Sequence, residues 1–211
     1  MHKVEDKDRY QMIQMKRNLL QATQDYVKPL LKKMLSPELH FHSLEHTQNV
    51  VNASQRIAKM EGISNIEEEE ALLISAWFHD VGYIQQYQNH EEVSQKYAKD
   101  FLLGYNADNS TIKDVFECIE ATRNGVIPSK CAEWIICDAD TFHLSTADYF
   151  ETLNKLRKEW ELVFQKFYTD NEWWEFNLKF LSNHRYYTRY GKEVMEKGKQ
   201  ANIQKIVAEI N

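Results

Sequence analysis

Apolar positions along this chain recur with the period of helices almost from end to end. Met12, Met15, Leu19, Tyr26, Leu30 and Met34 predict an N-terminal helix from about Asp8 to Leu35, halted by Pro37. Val50, Ile57 and Met60, facing inward, predict a second helix from Ser43 to Met60, closed by Gly62. Ser64 with Glu67 reads as a capping box that opens a third, running through Ala71, Leu72, Ile74 and Phe78 to His79. Asn89 can cap a helix containing Val93, Tyr97, Phe101 and Leu102. Asn109 or Ser110 can cap the next, with Ile112, Val115, Phe116 and Ile119. Pro128 starts a short helix through Trp134 and Ile135, and Ser145 with Asp148 a longer one with Phe150, Leu153, Leu156 and Trp160. An aromatic stretch (Trp173, Trp174, Phe176, Phe180, Tyr186, Tyr187, Tyr190) precedes a last amphipathic helix from about Lys192. At helical spacing such aromatics read as core. The expected fold class is all-α.

Composition supports that class. Only 6 Gly and 3 Pro in 211 residues leave long stretches free to be helical and argue against a turn-rich β fold. The formal charge of −6 disfavours loose binding to a nucleic-acid polymer, though a metal can reverse the local field for a small phosphorylated substrate. Cys118, Cys131 and Cys137 form no CxxC pair, so a reducing, cytoplasmic setting is expected. The N-terminus carries charges of both signs and no apolar signal region, and no window approaches 18 apolar residues, so no membrane association is expected.

Among the eight histidines, His40, His143 and His184 read as surface or capping residues. His42 and His46 are spaced i, i+4, but position 43 is Ser, so the H-E-x-x-H protease pattern is absent. His46, His79, Asp80 and Asp140 together make a mixed nitrogen and oxygen donor set. It suits one divalent ion of intermediate hardness: Mn, Fe, Ni, Co, Zn or Mg. Asp138 and Asp140 emerge from the apolar run Ile135, Ile136, Cys137, where carboxylates are rarely left unpaired. Capping the following helix is one outlet, and metal ligation is the reading favoured for Asp140.

These residues carry a resemblance. FHSLEHTQNVV (41–51) is similar to a YHNxxHTxxV segment, AWFHDVGY (76–83) to an HD segment, HEEVSQKYA (90–98) to an NEExSA segment and ICDADTFHL (136–144) to a DADL segment. All four belong to one branch of the HD-domain superfamily of metal-dependent phosphohydrolases, and they occur here in the same order. The similarity covers about residues 40–145 and continues weakly through 180–203. It implies a compact helical HD-domain bundle with additional N- and C-terminal helices. Residues 1–211 are then a single domain with its motif core at about 40–145 and a helical extension at about 146–211. It also implies metal ligation by His46, His79, Asp80 and Asp140, and hydrolysis of a phosphomonoester or phosphodiester bond in a nucleotide or other small phosphorylated metabolite.

Relatives with two metals need two further histidines before the last Asp. Here His90 and Asn124 stand at the candidate positions, so a dinuclear centre looks incomplete and His90 reads as a supporting or helix-start residue. The alternatives are an HD-type iron oxygenase and a non-catalytic nucleotide-binding protein. Asp80 and Glu91 are the candidates to orient or deprotonate an attacking water, although Glu91 also suits the first turn of a helix. Arg123 and Arg185, with Arg189 near the latter, are the candidates to hold substrate phosphate. The terminal helices could pack on their own core or on a second copy in a homodimer.

Overall fold

The computed structural model describes residues 19–210, and the expectations for Met12 and Met15 lie outside that range. Among the described residues every regular element is helical. Helix α1 spans 19–34 and α2 Leu44–Glu61. Then come α3 (Ile66–Phe78), a 3₁₀ turn (Val81–Ile84), α4 (His90–Gly104), α5 (Asn109–Ala121) and α6 (Cys131–Asp140). A second 3₁₀ turn (Phe142–Ser145) leads to α7 (Tyr149–Phe164), α8 (Asp170–Asn183), a π turn (Gly191–Met195) and α9 (Glu196–Ile210). None of these helices is long and apolar enough to cross a membrane.

Helix α3 is the axis of the molecule. Every residue from Glu70 to Phe78 is buried, the pattern of a helix covered on all sides rather than along one stripe. It packs on α2, α5 and α6, and α4 crosses its end. Val27, Leu31, Val50, Ile57, Leu102, Val115, Ile119 and Ile135 close the core around it. A second apolar cluster, with Leu144, Tyr149, Leu153, Trp173, Leu181 and Ile206, joins α7, α8 and α9. Trp173, Tyr186 and Tyr190 are buried, as the aromatic spacing suggests, whereas Phe176 and Phe180 remain partly exposed.

Several ends differ from expectation, each for a local reason. In α1 the buried row is Thr23, Val27 and Leu31, while Tyr26 and Met34 are exposed. A threonine whose hydroxyl bonds the Leu19 carbonyl at 2.9 Å occupies a core position that an apolar pattern skips. Helix α2 starts and stops as expected: Ser43 accepts from the His46 amide and Gly62 takes the left-handed conformation at φ 78°. Val50 and Ile57 face inward, but Met60, in the last turn, is exposed. Asn65, not Ser64, caps α3, accepting from the amides of Glu67 and Glu68. Asp108 caps α5 in place of Asn109 or Ser110, because its carboxylate reaches the Thr111 amide at 2.7 Å. Asn89 does precede α4, but in a left-handed conformation and without a side-chain cap. Pro128 sits before α6 rather than in it: the Glu133 carboxylate folds back onto the Ser129 and Lys130 amides, which delays the helix to Cys131.

Candidate metal centre

Three helices deliver the candidate ligands. His46 lies in the first turn of α2, His79 follows the last residue of α3, and Asp140 ends α6. Adjacent helical residues do not share a face, yet His79 and Asp80 both reach the centre. The backbone explains this. His79 is still helical, but Asp80 stands at φ −104°, ψ 3°, where α3 gives way to the 3₁₀ turn. Gly82 does not act as a left-handed stop, contrary to what its place after the pair suggests: the positive-φ glycines are Gly62 and Gly125. Glycine is required at 82 because a Cβ would collide with the His90 carbonyl. The Gly82 amide donates to Ser94 Oγ at 2.8 Å, and that hydroxyl donates to the His79 carbonyl at 2.6 Å. Ser94 on α4 therefore clamps both sides of the His–Asp pair.

His46, His79 and Asp140 each offer one ligand atom, all within 4.8 Å of one another. His46 Nε2 is 3.0 Å from Asp140 Oδ1 and 3.4 Å from Asp80 Oδ2. His79 Nε2 is 3.2 Å from Asp80 Oδ2 and 3.6 Å from Asp140 Oδ1. Donor atoms bonded to one ion at about 2.1 Å sit roughly 3.0–3.4 Å apart, so these spacings fit a shared ion. The hydrogen bonding fits as well. His79 Nδ1 faces the Ala76 carbonyl at 2.9 Å, which fixes the proton there and turns the Nε2 lone pair inward. His79 Nε2 and Asp80 Oδ2 are buried and have no hydrogen-bond partner among the described residues. A lone pair facing two carboxylates is satisfied by a proton or by a shared metal ion between them.

The electrostatics show the same demand. Burial opposes a charge on His79, but Asp80 and Asp140 outweigh it and raise its pKa well above the usual imidazole range. Burial likewise pushes Asp80 and Asp140 up. For Asp80, the neighbouring His79, His90 and His46 outweigh burial; for Asp140, His46 and His79 do so. Both carboxyls are held well below the usual range. His90 is tied to Asp80 from the far side, Nε2 to Oδ1 at 3.4 Å, with its Nδ1 on the Tyr87 carbonyl at 3.2 Å.

Two polar cavities meet the cluster. The larger, about 440 Å³, is lined by His46, Asp140, His143, Arg56 and Lys155; the smaller, about 230 Å³, by Asp80, His90, Glu91, Asn124 and His42. Residues 43–145 match the family model of the HD domain.

The chain carries an HD domain at residues 43–145. The family supports placement in a superfamily of metal-dependent hydrolases, and HD domains bind divalent metals. No curated protein and no solved structure matched this HD-domain protein.

The remaining sequence candidates divide. Glu91 is buried beside the smaller cavity, and Arg123 lies 3.4 Å from its Oε2. The Arg123 guanidinium is otherwise taken up by Glu120 at 2.6 Å, by Glu92 and by Asn89, and it lines neither polar cavity. Arg185 donates to the carbonyls of Ser182 and His184, away from the cluster. Arg189 bonds the Met60 carbonyl. Asp138 does not join Asp140. It accepts from the amides of Tyr187 and Thr188 and from the Thr188 hydroxyl, anchoring the segment before α9.

Sequence reasoning passed over Arg56, His143 and His42 at this HD-domain site. Arg56 lies over the rings of Phe142 and Tyr190 and has no carboxylate partner among the described residues. Burial, aided by His46, pushes His143 down to about 4, so the ring is neutral at pH 7. Its Nδ1 faces the Asp140 carbonyl at 3.1 Å, leaving Nε2 for the cavities. His42 stacks on Tyr83 at 4.1 Å and pairs with Glu159 of α7.

Proposed function

We propose that this HD-domain protein is a metal-dependent phosphohydrolase that cleaves a phosphomonoester or phosphodiester bond in a nucleotide or other small phosphorylated metabolite. The observation that carries the reading is the donor set of His46, His79, Asp80 and Asp140 beside a 440 Å³ cavity lined by a cation, Arg56, that has no carboxylate partner among the described residues. That volume is in the range of small-ligand sites. When bound by these four residues, a divalent ion neutralises phosphate charge and lowers the pKa of a water from about 15.7 toward roughly 7.

The chain's own groups supply the rest. Arg56 is placed to receive phosphate oxygens, and Lys155, already paired with Glu45 at 3.1 Å, adds positive charge at the rim. Asp80 keeps Oδ1 toward His90, so its orientation is fixed. Glu91, with Arg123 nearby, lines the smaller cavity as a carboxylate able to orient a water or take its proton. Neutral His143 presents Nε2 as an acceptor between the two polar cavities.

The test is metal analysis of the purified protein together with turnover of nucleotides and generic phosphoesters. His79→Ala and Asp80→Ala should each lose bound metal and at least about a thousandfold in kcat/KM. If Asp80→Ala matches the wild type in both metal content and turnover, the proposal is wrong.

A further inference from the structure

A third cavity, about 290 Å³, lies next to the two polar ones and shares Phe41 and His143 with both. Its walls are mainly Phe41, Leu153, Leu156, Trp160, Phe176 and Phe180. All but Phe41 belong to α7 and α8, outside the stretch that matches the HD domain. Phe41 separates this space from the ligand cluster by a single ring: it packs 4.7 Å from the ring of His46 and 5.1 Å from that of His143. Its position is set by α7, since its amide donates to the fully buried Glu159 at 2.8 Å.

Size and surface narrow the occupant. A cavity of about 150 Å³ holds benzene, so this one admits a substituted ring or two fused rings, and aromatic walls favour an aromatic guest.

We infer that this cavity receives the organic group of the substrate, and that this group is an aromatic ring. The inference rests on the phosphohydrolase reading, which puts the phosphate beside His46 and Asp140. Specificity then lies in the α7–α8 extension, while the HD segment supplies the site of cleavage.

Phosphonates test this without turnover, because their carbon–phosphorus bond is not hydrolysed. Calorimetry on metal-loaded protein would compare methylphosphonate, hexylphosphonate and benzylphosphonate. Benzylphosphonate should bind at least about tenfold tighter than methylphosphonate, and tighter than hexylphosphonate. Leu156→Trp should reduce benzylphosphonate to the level of methylphosphonate. Should that variant not fold, the wild-type series still decides.

Equal binding of the benzyl and methyl compounds, or a preference for hexyl, would overturn the inference. Benzyl alcohol added to chelator-treated protein separates the two readings. A rise in melting temperature that Leu156→Trp removes supports the aromatic cavity even where no phosphoester is hydrolysed, and no rise counts against the cavity alone.

Discussion

Glu159→Ala should destabilise the protein by about 4 kcal/mol although Glu159 belongs to no ligand set. The carboxylate is fully buried and accepts from the Phe41 amide at 2.8 Å, the His42 amide at 3.0 Å and the Tyr87 hydroxyl at 2.8 Å, besides the His42 ring. Truncation strands those donors at about 1–3 kcal/mol each. Water entering the vacated space recovers part of that sum, which sets the net near 4. For a chain of this size such a loss lowers Tm by roughly 8–16 °C. Glu159→Gln keeps the shape and an acceptor for the two amides but loses the charge, at a cost of about 2 kcal/mol.

The two variants also differ from wild type in acid. Burial pushes the Glu159 pKa up, but His42 and the backbone amides outweigh it and hold it below its ordinary value of 4.5. A depressed folded pKa contributes stability that is fully present above 4.5 and is lost as pH falls through the folded pKa. The gap between wild type and Glu159→Gln should therefore shrink in that window. Urea unfolding followed by circular dichroism from pH 7 down to pH 3 measures both effects. An alanine variant within about 1 kcal/mol of wild type, or a glutamine gap that stays constant down to pH 3, refutes the reasoning.

Manganese at a hundredfold excess over its Kd should stabilise the protein by about 2.7 kcal/mol in thermal melts. A chelator should reverse the gain, and His79→Ala should abolish it. Gly82→Ala should cost about 3 kcal/mol or more in chemical denaturation, because the added carbon meets the backbone of His90 rather than a side chain that can move. Asp138→Ala strands the Tyr187 and Thr188 amides, so limited proteolysis should cut within 184–190 before any other part of the chain.

The helical class and the four converging ligand candidates are legible in the sequence because each rests on local pattern. Apolar period marks α2 through α6, and the His–Asp pair, the histidine before it and the aspartate after it stand in short distinctive segments. What is not legible depends on pairs far apart in the chain. Glu159 looks like any polar position of an amphipathic helix, and its role exists only because residues 41 and 42, 117 or more positions earlier, fold against it. Arg56 sits on the exposed side of α2, where an arginine normally signals solvent. His143 reads as a surface or capping residue until the 3₁₀ turn sets its ring against Phe41. Caps fail in a narrower way: Asn65 and Asp108 each lie one residue from a plausible competitor, and only side-chain reach selects between them.

The buried partners of Phe41, His42 and Asp138 all lie beyond residue 145. The motif-bearing stretch is thus not a cassette that can be lifted out at its apparent borders. A fragment ending at 145 would strand the Phe41 and His42 amides that bind Glu159 and leave the buried Asp138 without its partners at once. Recombination at that point, natural or engineered, would have to carry α7 and the link at 184–188 along with it. In such a molecule the unit of inheritance is longer than the unit of recognition.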